Sequence, residues 1–169
     1  MPEIIKSHKC YALPEVFESF GLQEHYNAKT VEHNKSFIIG SFKITPFSVF
    51  HDVPNVGYVI ASKHGGKLLF ATDCTHFEPS FKSLTHIAIE ANYSRPVLDY
   101  NVTTGKVHPF VKKRVIKSHM ELEETNKFLE SNDLSKVKEI HLIHCSSDNL
   151  DKEKAQKEVE ELTGKTVYI

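Results

Sequence analysis

Three hydrophobic stretches of this sequence end in side chains that bind metals or move protons. "SVF" leads into His51, "KLLFAT" into Asp73, and "EIHLI" into His144. Each stretch reads as a β-strand whose last position, or the first beyond it, carries an imidazole or a carboxylate. In α/β sheets, ligands bind in the crevice at the carboxyl ends of the strands. Two imidazoles and a carboxylate suit zinc, manganese or iron, and a sheet can hold them with little reorganisation. A strand-end His or Asp taken singly is more often a turn residue or a cap. Periodicity does not show that the three converge. Asp52 competes with His51 within its own motif; if His51 binds metal, Asp52 is expected to bond backbone or a neighbouring group. A fourth candidate lies in "IKSHMELEET". The spacing of Ser118 and Glu121 is that of a capping box, which places His119 at the start of a helix. There it could protonate a leaving group or stabilise developing negative charge.

The elements that would position these groups are readable from pattern. Pro14, the apolar residues Val16, Phe17 and Phe20, and Gly21 predict a short helix over 13–22. "FIIGSFKITPFSVF" predicts a hairpin turning at Gly40-Ser41. "VGYVIAS" and "KLLFATD" predict a second, turned by "KHGG". "HIAIEAN" predicts a short strand at 86–92, and "PFVKKRVIKS" fits helix or strand. A helix is expected after Ser118, with Leu122, Phe128 and Leu129 on its apolar stripe. "KEIHLIHCSS" predicts a strand, "DKEKAQKEVEELTG" a helix stopped by Gly164, and "KTVYI" a final strand. Strand-rich first and alternating later, this is the pattern of one α/β domain with a mixed sheet.

Bulk properties narrow the function. The chain has 169 residues, with 40% hydrophobic and 25% charged residues and a net charge of −1. That is ordinary for a globular protein and favours neither a long nucleic-acid footprint nor an anionic membrane surface. No apolar run approaches the ~20 residues of a membrane span, and "MPEIIKSHKC" lacks the apolar core of a secretory signal. Cys10, Cys74 and Cys145 are odd in number and match no zinc-finger spacing, so a reducing cytoplasm is expected. Consecutive strand side chains point opposite ways. If Asp73 and His144 face a site, Cys74 and Cys145 face the core, and no local signature supports a Cys145 nucleophile.

Taken in order, "HDVPNVGYVI", "GGKLLFATDC", "IAIEANY", "SHMELEET" and "LIHCSSDN" resemble the metallo-β-lactamase superfamily, most closely its ribonuclease Z-like and single-domain exonuclease-like branches. The resemblance runs from about residue 37 to 169. It implies an αββα sandwich with a mixed β-sheet and flanking helices, here N-terminally incomplete and forming a single partial domain over 1–169. By the resemblance, His51, Asp73 and His144 match metal ligands and His119 the helix-start His that assists catalysis. Glu90 and Asn92 match the segment lining the site, and Asp52, Ser118 and Ser146 accompany the ligands. The cofactor implied is Zn2+, Mn2+ or Fe, dinuclear in the complete site. The family's His-x-His-x-Asp-His motif has no counterpart in the chain. The expectation is therefore that the first strands and four ligands lie upstream of Met1, or come from a complementing N-terminal fragment or a second copy in a homodimer. The function implied is metal-dependent hydrolysis of a phosphodiester, in nucleic acid or a nucleotide. The alternative is a catalytically inactive fold that acts as a binding or assembly protein.

Overall fold

Glycine and the β-branched and aromatic runs set the first half of the sheet. In the computed structural model, which describes residues 1–78 and 80–169, β3 (Phe37–Ile39) and β4 (Phe42–Ser48) form an antiparallel hairpin. Gly40 turns it at φ +58°, a conformation that disfavours a β-carbon. β5 (Val56–Ser62) and β6 (Lys67–Ala71) form the second hairpin, closed by Gly65 and Gly66, both at positive φ. β7 (His86–Glu90), β8 (Glu139–Ile143) and β9 (Thr166–Tyr168) then add in parallel. The result is one seven-stranded mixed sheet in the order β3-β4-β5-β6-β7-β8-β9. Ahead of it, β1 (Cys10–Ala12) and β2 (Ala28–Thr30) make a small parallel pair. Between them runs α1 (Pro14–Ser19), shorter than the 13–22 expected from the sequence.

The stretch that fits helix or strand by pattern is helical. α2 (Arg95–Thr103) has Pro96 as its second residue and α3 (Pro109–Ser118) begins on proline, first-turn positions where the missing N–H is harmless. α4 (Leu122–Ser131) and α5 (Lys152–Thr163) follow. Asp151 caps α5 by accepting the Lys154 N–H, and Gly164 ends it in the left-handed region. One sheet face is buried under this layer. Val59, Leu69, Ile87, Ile89, Ile140, Leu142 and Val167 share a core with Leu122, Leu129, Ala155 and Val159. The opposite face is only half-covered, and Phe42, Phe70, Tyr168 and the edge residue Ile38 (76% exposed) stay open to solvent. Among the described residues, no helix is long and apolar enough to cross a membrane.

Gly57 faces Phe47 across the β4–β5 ladder, and a β-carbon there would collide with the Phe47 ring. Phe47 is fully buried and tilts against Phe77 and Phe81. Gly57→Ala is therefore expected to destabilise the fold by about 1–3 kcal/mol through overpacking. Chemical denaturation would read this as a lower midpoint at an unchanged slope.

Candidate metal centre

The site forms where three adjacent parallel strands stop. Asp73 follows β6, Glu90 is the last residue of β7, and His144 follows β8. Asp73 (φ +52°) and His144 (φ +54°) both leave their strands in the left-handed conformation. Such backbone is uncommon outside glycine and persists only when its surroundings enforce it. Two asparagines enforce it here. The Asn55 carboxamide donates to the carbonyls of Thr72 (3.1 Å) and Asp73 (2.7 Å), and its Oδ1 accepts the Val56 N–H. The Asn92 carboxamide donates to the His144 carbonyl at 2.7 Å. The Asn92 backbone also bonds Met120 O and the Ser146 N–H, each at 2.9 Å. One buried residue thus ties together the segments carrying Glu90, His119 and His144.

His119 arrives by a different route from the one its sequence motif suggests. It is the C-cap of α3, in extended conformation, and not the opening of a helix. Ser118 is the last residue of α3, and its hydroxyl donates to Arg114 O at 2.8 Å, so it caps nothing. α4 starts after Glu121, which makes no side-chain cap bond. The 119–122 link instead runs alongside the segment beyond β7, with Leu122 N donating to Tyr93 O. This holds His119 over Glu90.

The donors converge. Ligand atoms of Asp73, His119 and His144 all lie within 4.8 Å of one another, the one such group among the described residues. His144 Nδ1 is 3.3 Å from both Asp73 Oδ1 and Glu90 Oε1. His119 Nδ1 is 2.7 Å from Glu90 Oε1 and 3.9 Å from Asp73 Oδ1. The two rings meet edge to face at 5.0 Å. Glu90 is fully buried; its second oxygen accepts the Cys74 N–H at 3.0 Å, and its backbone carbonyl accepts the Thr125 hydroxyl. The hydrogen bond to Glu90, reinforced by the charges of Glu90 and Asp73, raises the His119 pKa above the ordinary imidazole value. Two carboxylates against two neutral imidazoles carry a charge of −2 that a divalent cation would neutralise. The donor set is that of zinc, manganese or iron. A buried carboxylate that orients a histidine beside the donors is the usual support of such a centre. The residues fit a metal.

Of the set expected from strand ends, His51 lies outside this group. The sheet order explains it, because β5 lies between β4 and β6 and puts the two strand ends about 10 Å apart. The His51 Nδ1 is instead occupied locally, taking the Asp52 N–H at 2.7 Å beside the Asp52 carboxylate at 2.6 Å. Asp52 is thus a partner of His51 and not of the cluster. Ser146 supports the turn after His144, its Oγ accepting the N–H groups of Asp148 and Asn149. Asn55 has no signal in the sequence beyond its place in a Pro-Asn turn, because its contacts cross 17 and 18 residues.

The cysteines are free. Burial, with Glu90 and Asp73 adding to it, pushes the Cys74 thiol up to about 12, and burial also raises Cys145. Neither environment favours a thiolate, which removes the physical basis for a cysteine nucleophile.

Asn92→Ala frees the His144 carbonyl and the left-handed turn beneath it. The expected result is a metal affinity about 10-fold weaker, within the range for groups that orient ligands. Metal titration of folded protein checks it, with circular dichroism as the control for folding.

No family model and no curated protein matches the chain. Solved structures do. A metallo-β-lactamase fold protein, YhfI from Bacillus subtilis, superposes with a TM-score of 0.64 at 15% identity, over 94% of this chain and 60% of its own. CmlA, a diiron β-hydroxylase from Streptomyces venezuelae, gives 0.56 at 11% identity, over 93% of this chain and 35% of its own. A diphosphatase of the PhnP family gives 0.55 at 16% identity, over 100% of this chain and 58% of its own. The chain has the metallo-β-lactamase fold and spans 60% or less of the length of these three proteins. One of them is a hydroxylase and another a diphosphatase, so the shared fold leaves the reaction open.

Proposed function

We propose that this chain carries part of a metal-dependent phosphodiester hydrolase. The carrying observation is the convergence of Asp73, His144 and His119 on one point at the ends of β6 and β8, with buried Glu90 fixing His119. Asp73 and His144 would hold a divalent cation, zinc being the first choice for this donor set. When bound, such a cation polarises the scissile group and lowers the pKa of a water. His119 donates its Nδ1 proton to Glu90, which fixes the ring and leaves Nε2 as the nitrogen for the leaving oxygen. The diphosphatase among the structural neighbours supports a phosphoester substrate, and a nucleotide or a nucleic-acid end meets the near-neutral charge of the chain. Three unpaired cysteines fit a reducing cytoplasm.

The test is hydrolysis of bis(p-nitrophenyl) phosphate. Activity is expected to vanish with a chelator and return with Zn2+ or Mn2+. His119→Ala is expected to keep the metal and lose kcat by roughly 10²–10⁴-fold, the range for a general acid. Metal lost together with His119 would make that residue a ligand and overturn the assignment.

A second reading has its own observation. Phe42 and Phe70 leave the open sheet face partly apolar, and β3, where Ile38 is exposed, is the unpaired edge of the sheet, as in a non-catalytic assembly protein that adds a second copy or a complementing chain there. A stable oligomer with no metal above background favours this reading over the hydrolase.

A further inference from the structure

His86, Glu139 and His141 form a second constellation of donors, separate from the candidate metal centre. The β7–β8 register sets His86 beside Glu139, and His141 stands two residues on, so all three share the open face of the sheet. They sit at the other end of the strands from Glu90. His86 opens β7 and Glu90 closes it, a separation of about 13 Å along an extended strand. Both rings aim Nε2 at the same oxygen. His141 Nε2 is 3.3 Å and His86 Nε2 3.6 Å from Glu139 Oε1. All three side chains are about one-third exposed, and His141 is stacked on Tyr168 at 5.0 Å.

The Thr85 hydroxyl accepts the Lys67 N–H at 2.7 Å and lies 3.1 Å from Lys67 O and 2.8 Å from His86 Nδ1. In the tautomer where its proton goes to Lys67 O, His86 Nδ1 donates to it and the Nε2 lone pair is left facing the Glu139 carboxylate. A cation between those two atoms then satisfies both.

We infer that His86, Glu139 and His141 bind a divalent transition-metal ion of the zinc type, bridging β7 and β8 on the open face of the sheet. Two imidazoles and one carboxylate select such an ion over Mg2+ or Ca2+, which prefer oxygen donors. The separations of 3.3 and 3.6 Å from Glu139 Oε1 match those between ligands around a tetrahedral ion with bonds of about 2.0–2.1 Å. Unlike those of Asp73, His119 and His144, the ligand atoms of these three residues do not all lie within 4.8 Å of one another. Binding therefore turns the two exposed rings inward over Glu139. The ion clasps two strands and stabilises the fold by linkage; it takes no part in hydrolysis.

The experiment uses ZnCl2 in equilibrium dialysis with the double variant Asp73→Ala/His144→Ala, which lacks the first centre. About one Zn2+ per chain is expected at micromolar free metal, with none from Mg2+. Adding His86→Ala and His141→Ala is expected to weaken binding at least 10-fold. Equal zinc uptake with and without those two histidines overturns the inference, as does no uptake at 100-fold higher zinc, on the order of 100 μM. A second measurement covers a double variant that fails to fold. In the wild-type chain, the ring nitrogens of His86 and His141 are expected to shift in NMR spectra as zinc passes one equivalent. Shifts with pH but none with zinc would mean that the cluster holds only a proton, and the inference fails.

Discussion

Asp73→Ala is expected to abolish metal-dependent hydrolysis, lowering kcat/KM by roughly 10³-fold or more, which is about 4 kcal/mol of transition-state stabilisation. Asp73 approaches both histidines of the cluster, at 3.3 and 3.9 Å. It is also the carboxylate at the cluster that solvent reaches, Glu90 being fully enclosed. Removing it takes away a ligand and half of the negative charge that attracts a cation. Asp73→Asn separates these contributions. The amide keeps the size and the left-handed backbone that asparagine tolerates, so stability should hold while metal affinity falls. Steady-state kinetics and metal titration of both variants check this. Full activity in Asp73→Asn would mean that the charge at 73 is irrelevant.

Glu90→Ala is expected to produce the largest stability change at the site. The side chain accepts two hydrogen bonds in a fully buried position, from the Cys74 backbone and from His119. Deleting it leaves both donors without a partner and opens a cavity. Together these cost about 3 kcal/mol, a fall in Tm of roughly 6–12 °C for a chain of this size. The same pair gives the metal-free protein a pH signature. Because Glu90 raises the His119 pKa, its contribution is complete below the ordinary imidazole value. It fades as pH rises through the higher value of the folded protein. Wild-type stability should therefore decline as pH rises above the ordinary imidazole value, and Glu90→Ala should flatten that decline. Glu90→Gln retains an acceptor for the Cys74 N–H and recovers part of the stability, but not the pH dependence. Thermal melts at pH 6 and pH 8.5 in the presence of a chelator decide it. A pH slope that survives in Glu90→Ala would assign it to another group.

The fold was legible wherever a local rule dominated. Gly40, Gly65 and Gly66 mark the hairpins, Gly164 ends α5, and the short apolar runs of β7 and β8 read as strands because their neighbours are polar. The metallo-β-lactamase fold followed from the order of five motifs. Two of the three converging donors, Asp73 and His144, were legible because they follow strands. His51 extends a strand too, but membership depends on β5 lying between β4 and β6, and no strand-end pattern encodes sheet order. His119 was singled out for the wrong local reason. The Ser118–Glu121 spacing imitates a capping box, whereas Ser118 ends the preceding helix by bonding four residues back. α3 was ambiguous because its apolar residues fit either period. Asn55 was invisible because its role is to hold a backbone turn across a hairpin.

A zinc anomalous difference map from crystals grown with the metal tests the central claim most directly. The account predicts a peak about 2 Å from donor atoms of both Asp73 and His144, with Glu90 still bonded to His119 Nδ1. Density bound to His51 in place of Asp73 and His144, or none near β6 and β8 at full occupancy elsewhere, would contradict it.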